Sequence, residues 1–322
     1  MRSDSSFLSF PRKRESRCPT CESRELNNNL DSCVRRNDTL NSHIQTLPNG
    51  TILVDYGPMH MFISAFESKK PLIKLAEEGA HFAMGVLEDL ATFLSVIKKK
   101  SKELEIEETF PDVVRRMIEA TKKMDELDLT PLAAVAGTAS DVVADFIFSR
   151  GGTKIIVDNG GDIAIRLREG EVARVGIKTE IDVKQPTYLI SIDSTMGIGG
   201  VATSGLGGRS FTKGIASAAT ALSQTAAFSD AAATVIGNFT NVEDPSIVRS
   251  LAEKIYPDTD IAGEWVTIKV GKLSQEKIGE ALSRGLSKAY SICQRGLIHR
   301  ALIAVQGKAV WTDSLNSLLT KL

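Results

Sequence analysis

Asp230 and Thr234 stand four residues apart in the segment SDAAATVIGN. On a helix that spacing puts a carboxylate and a hydroxyl on one face, a turn apart. Two hard oxygens held in this way suit a small cation such as Mg²⁺. Just upstream, SGLGGRSFTKG contributes Ser204, Gly205, Gly207 and Gly208. Their backbone N–H groups are little covered by side chains, as an anionic ligand needs. Arg209 and Lys213 in the same stretch would bring positive charge to a phosphate. Metal plus phosphate is the chemistry this pattern points to. The same residues also read as a small-residue helix packed on a sheet, with Asp230 near its N-terminus for the sake of the dipole, beside a flexible glycine loop.

Other polar residues carry two readings each. Asp162 follows Asn159, Gly160 and Gly161, so it either reaches a ribose or adenine edge or caps its own turn. Asp141 is a second metal or nucleotide contact, or a first-turn acid of its own helix. His60, His81 and His299 are scattered through apolar contexts and read as packed or surface histidines. Ser217, Ser223 and Ser229 have no His placed to activate them, which disfavours a hydrolase triad. Cys18 and Cys21, with Cys33 and His43, could begin a zinc site, but no second paired motif follows at finger-like spacing. Cys293 falls in a helical pattern and reads as a small buried hydrophobe.

Composition narrows the function classes. The 322 residues suffice for one large domain or two ordinary ones. A net charge of −1 gives no basic field for nucleic acid, and 6% aromatics give few stacking platforms. A run of about 18 apolar residues is missing, so no membrane span is expected. The basic N-terminus lacks the apolar stretch of a secretory signal, which makes the cytoplasm the expected location.

Positioning these residues requires a core, and the apolar pattern starts late. Residues 1–47 are rich in Arg, Ser and Asn and are expected to be a disordered or non-native extension. The phrase SFPRKRESR in it resembles the translation of a repetitive bacterial DNA element. Residues 48–322 are expected to form one domain. TILVDYGPMHMFISA reads as two strands turned at Gly57 and Pro58. Helices are expected within 71–100, from Pro111 to about Asp125, from about Thr138 to the glycines 151 and 152, near 244–255 and over 275–294. TKIIVDNGGDIAIRL gives strand, turn, strand, and VARVGIK, YLISID and VATSG give further strands. A hairpin turned at Gly307 closes the chain. Antiparallel hairpins mixed with grouped helices indicate an α+β fold.

Four of these segments, taken in order, resemble the ApbE-like superfamily. They are AVAGTASDVVADFI from Ala134, KIIVDNGGDIAI, VATSG and SDAAATVIGN. They cover residues 130–240 or so and resemble, respectively, that family's small-residue loop and helix, GGD hairpin, ATSG loop and AD-x-x-x-T metal helix. The best-known members are flavin transferases that attach FMN from FAD to target proteins. The resemblance implies Mg²⁺ at Asp230 and Thr234, and FAD or another nucleotide diphosphate at Asp162, Thr203, Ser204, Gly205, Gly207, Gly208, Arg209 and Lys213. It departs from the pattern at two places. The family's His-containing segment is replaced by RSFTKGIASAATALSQ, and Ala136 stands where a Lys usually precedes Gly137. Without that His there is no evident general acid or base in the loop. The chain therefore resembles an uncharacterised branch, with no catalytic residue evident. It reads as a divergent metal-dependent transferase, or as a ligand-binding or homodimeric protein with a vestigial pocket.

Overall fold

The computed structural model describes residues 43–181 and 183–322. Strands β1 (Ile44–Thr46), β2 (Ile52–Tyr56), β3 (Met59–Glu67) and β4 (Lys70–Pro71) come first, followed by helices α1 (Ile73–Thr92), α2 (Asp112–Met124) and α3 (Val135–Phe148). Strands β5 (Lys154–Asn159), β6 (Ile163–Leu167), β7 (Val172–Ile177), β8 (Tyr188–Asp193), β9 (Gly200–Ser204) and β10 (Ala218–Ser223) lead to helix α4 (Ala226–Phe239). Next are β11 (Ile247–Leu251), β12 (Trp265–Val270), α5 (Gln275–Gln294), β13 (Arg300–Val305), β14 (Lys308–Trp311) and β15 (Leu319–Lys321). The fold is α+β, as the hairpin pattern indicates.

One large antiparallel sheet runs in the order β1-β2-β3-β5-β6-β9-β10-β13-β14, with β4 on the end of β3. Its two faces are covered differently. Helices lie on one face: α1 and α3 cover β2, β3 and β5, while α4 and α5 cover β9, β10 and β13. On the other face, the three-stranded sheet β15-β8-β7 packs Val175, Ile177, Ile190 and Ile192 against Ile165, Val201, Ala218 and Leu302. With both faces covered, every residue of β10 is buried, and its sequence AATALS shows no polar alternation. Small residues at Ala219 and Ala221 let α4 lie close to the sheet.

Most expected elements are present, and three differ. The segment near 244–255 is strand β11 followed by a single helical turn, Ala252–Ile255. Its β-branched Ile247 and Val248 pair with β12 instead of coiling into a helix. Strand β1 lies upstream of the boundary expected at residue 48, pairing Ile44 with Val54 and Thr46 with Ile52. Pro131–Phe148 is by length and composition apolar enough to cross a membrane, although most of it is buried in the core. Of the suggested zinc ligands, Cys18, Cys21 and Cys33 lie outside the described residues. His43 bonds through Nδ1 to the Asp55 carbonyl at 3.0 Å.

Candidate functional site

Helix α4 starts earlier than the sequence suggested. Thr225 caps it, its hydroxyl accepting the Phe228 N–H at 3.3 Å. Asp230 therefore sits in the second turn, outside the position of a simple helix-start acid. Its side chain is buried against the N-terminus of α3, where Oδ2 accepts the Gly137 N–H at 2.9 Å and the Ala136 N–H is a second donor. Burial raises the Asp230 carboxyl well above the usual carboxylate range. The charge of Asp162 adds to the rise, as does Asp141, and they outweigh the two amides. Among the described residues no Lys, Arg or His pairs with Asp230. One turn on, the Thr234 hydroxyl points to the Ala133 carbonyl at 3.5 Å. That distance is at the long limit of a hydrogen bond.

The donor set is thus one carboxylate, one hydroxyl and one backbone carbonyl, with Asp162 in electrostatic range. Among the described residues there is no group of three or more His, Cys, Asp or Glu side chains placed to hold a metal. Hard oxygens of this kind suit Mg²⁺ or Mn²⁺ and not zinc. A cation would also relieve the buried acid, so the residues present fit one. The Ala133 carbonyl had no sequence signal, because a main-chain oxygen leaves no mark on residue type.

Asp162 closes the β5–β6 hairpin, where Gly160 and Gly161 take φ angles of +74° and +103°. Its carbonyl accepts the Asn159 N–H at 3.2 Å and the Ser140 hydroxyl at 2.8 Å, which tie the turn to α3. Across α4, Ser204 faces Gly237, seven residues from Asp230 on the same helix face. The Thr203 and Thr220 hydroxyls share a hydrogen bond of 2.9 Å. Gly205 and Gly207 take φ angles of +142° and +80°, and the Gly208 N–H folds back to the Gly205 carbonyl at 3.2 Å. Gly207 and Gly208 are exposed at the tip of the loop.

Both cations of the loop already have partners within the protein. Arg209 donates to the Pro58 carbonyl at 2.9 Å and to both oxygens of Asn159 at 3.3 Å. Lys213 bridges Asp128 and Glu264, the latter at 2.7 Å. The two side chains pin the loop, Arg209 to the hairpin that carries Asp162 and Lys213 to the connection ahead of α3. Asn238, one turn beyond Thr234, accepts the Lys213 N–H at 2.9 Å. A cavity of about 730 Å³ opens at this end of α4, lined by Leu129, Lys213, Val235, Asn238, Phe239 and Lys288 among others. That volume is within the range of small-molecule sites.

Asp141 takes neither role expected of it. Buried in α3, it accepts the Ala226 and Ala227 N–H groups of α4 at 3.0 and 2.8 Å, and it pairs with Arg166 at 2.9 Å. Arg166 also holds Asp145 at 2.7 Å and the Gly199 carbonyl at 3.0 Å. The strand pattern around Arg166 gave no hint of this buried pair.

A model of the family described as AbpE bacteria matches residues 44–311. The chain belongs to the AbpE bacteria family. It is also similar to UPF0280 proteins. One from Methanosarcina barkeri is 36% identical over 168 residues, which is 50% of this chain and 64% of that protein. One from Methanosarcina acetivorans is 34% identical over 182 residues, 54% of this chain and 70% of that protein. The chain therefore spans about two thirds of the length of these relatives. Among solved structures, a mutant of the flavin transferase ApbE from Vibrio cholerae is 14% identical, with a TM-score of 0.43, over 81% of this chain and 96% of that one. The apo flavinyl transferase ApbE of Pseudomonas stutzeri is 19% identical, with a TM-score of 0.34, over 60% of this chain and 50% of that one. This member of the AbpE bacteria family is thus related to the UPF0280 proteins, and its own fold is α+β.

Proposed function

We propose that this protein binds a divalent cation, Mg²⁺ or Mn²⁺, together with FAD or another nucleotide diphosphate. Asp230, Thr234 and the Ala133 carbonyl hold the cation. The backbone of Ser204, Gly205, Gly207 and Gly208 lies against the phosphates, with Thr203 and Asp162 flanking them. A bound cation would supply positive charge to phosphate oxygens, beside Arg209 and Lys213, which also hold the loop in place. The observation that carries this reading is the buried Asp230 carboxyl, one turn from Thr234 and raised by burial and by Asp162.

The reading stops at binding. Residues 206–229 contain no His, Asp, Glu or Cys, so no side chain there serves as a general base at neutral pH. General acid–base assistance is worth about 10²–10⁴-fold in rate. Transfer of FMN to a threonine-containing peptide is therefore expected to be undetectable.

Isothermal titration of Mg²⁺ and Mn²⁺, with and without FAD, tests the proposal. Asp230→Asn should abolish cation binding, since it replaces the carboxylate with a neutral carbonyl of nearly the same shape. Thr234→Val should weaken binding more mildly, because only one neutral oxygen is lost. Absence of cation binding by the unmutated protein, even with FAD present, would sink the assignment.

A further inference from the structure

Helices α3 and α4 cap one another. Asp230, in the second turn of α4, accepts the Gly137 N–H at 2.9 Å, with the Ala136 N–H beside it, in the first turn of α3. Asp141, in the second turn of α3, accepts the N–H groups of Ala226 and Ala227, the first two residues of α4, at 3.0 and 2.8 Å. Each helix thus supplies the carboxylate that the other's unpaired N-terminal amides require. Neither helix meets that need alone. Ala134, the residue capping α3, offers no side-chain bond, and Thr225 serves only Phe228 on α4.

The exchange depends on backbone contact between the helices. A Cβ on Gly137 would stand 2.3 Å from the Ala226 carbonyl oxygen and 2.8 Å from the Asp230 Cβ. Arg166 fixes the arrangement from the sheet, donating to Asp141 at 2.9 Å and to the Gly199 carbonyl at 3.0 Å. Gly200, the next residue, lies so close to Ala226 that a Cβ there would come within 2.2 Å of its nitrogen. The height and rotation of α4, and hence the place of Asp230, are set at this junction.

We propose that Asp141 is a positioning residue for Asp230. The reciprocal caps couple the two carboxylates, so loosening the Asp141 cap on α4 loosens the Asp230 cap on α3 and misplaces the metal ligand. The coupling stands on the hydrogen bonds alone. Its consequence for the cation rests on the metal reading above.

The test compares Asp141→Asn with Asp145→Asn in the full chain. The first keeps the side chain's shape but removes its charge and one acceptor. The second deprives Arg166 of its other carboxylate without touching either helix N-terminus. In the metal-free protein, amide exchange at Ala136 and Gly137 should quicken at least about tenfold in Asp141→Asn, as loss of a cap frees local opening, and stay unchanged in Asp145→Asn. Mn²⁺ affinity, measured by titration well below the melting temperature, should fall about 10–100-fold in the first variant and stay near the unmutated value in the second. If Asp141→Asn does not fold, Arg166→Lys, which leaves Asp141 and one positive charge in place, carries the same comparison. Unchanged exchange at Ala136 and Gly137, or equal changes in both Asp variants, would overturn the coupling. If the unmutated protein binds no Mn²⁺, the metal reading falls, while the exchange arm still decides the coupling.

Discussion

Asp230 joins two demands that ordinarily conflict. Its carboxylate accepts amides at the start of α3, which favours the charged form, yet it is buried beside Asp162 and Asp141, which disfavours it. Burial and the neighbouring charge win, so the folded-state pKa lies above the unfolded value. Without metal, the stability associated with the protonated carboxyl is fully present below the unfolded pKa and is lost as pH rises through the folded one. A tenfold difference in proton affinity between the two states corresponds to about 1.4 kcal/mol. In EDTA at pH 8, Asp230→Asn should therefore melt above the unmutated protein, and the gap should close as pH falls toward 4. Saturating Mg²⁺ should raise the unmutated protein at pH 8 and leave the variant unmoved. A variant that melts lower than the unmutated protein in EDTA at pH 8 would show that the amide bonds to Asp230 outweigh its burial. Asp230 and Thr234 were visible in the sequence because four-residue spacing on a helix is a property of residue types. The acceptors and donors around them were not, because the Ala133 carbonyl and the Gly137 amide belong to the main chain.

The junction of α3 and α4 shows what glycines do at the level of the element. Gly137→Ala would drive a methyl group into the Ala226 carbonyl and the Asp230 side chain, neither of which has room to retreat. Overpacking of this kind costs about 1–3 kcal/mol, and here it would also part the two reciprocal caps. Gly279, exposed in α5, has nothing within 4 Å of where its Cβ would be. Gly279→Ala should stabilise by about 0.5–1 kcal/mol through helix propensity alone. Urea denaturation of both variants checks the contrast, and a neutral Gly137→Ala would mean the helices can separate without loss. The sequence disclosed α2, α5 and the hairpins through period and turn residues: Pro111 ahead of α2, and Asn159, Gly160 and Gly161 between β5 and β6. It misled at β11, where a five-residue strand and a single helical turn together mimic a helical stretch. It pointed Arg209 and Lys213 at a phosphate but not at their partners within the protein, since those depend on tertiary neighbours. Pro58, Asn159, Asp128 and Glu264 come from four distant parts of the chain.

Across the whole molecule, the large sheet carries the site at its centre, where β5, β6 and β9 meet α3 and α4, and its first strand lies at the far edge. Composition alone placed that edge inside a polar leader, because three residues are too few for an alternating pattern to register. Yet Ile44 packs against the core beneath α1, the Thr46 hydroxyl reaches Glu77 at 3.4 Å, and the His43 ring meets the edge of Tyr56 at 5.0 Å. Removing β1 would take Ile44 out of the core and strip β2 of its outer ladder. Full burial of an isoleucine is worth about 1.5–3 kcal/mol, and Ile44 is only partly buried, so about 1–2 kcal/mol is at stake. At about 2–4 °C per kcal/mol for a chain of this size, a protein beginning at Leu47 should melt roughly 2–8 °C below one beginning at His43. The loss should leave Mn²⁺ affinity at Asp230 unchanged, because β1 lies at the far edge of the sheet beneath α1. Two proteins melting within a degree of each other would show β1 to be a passive edge. A fall in Mn²⁺ affinity with the truncation would instead show that the edge of the sheet and the α3–α4 junction move as one cooperative unit.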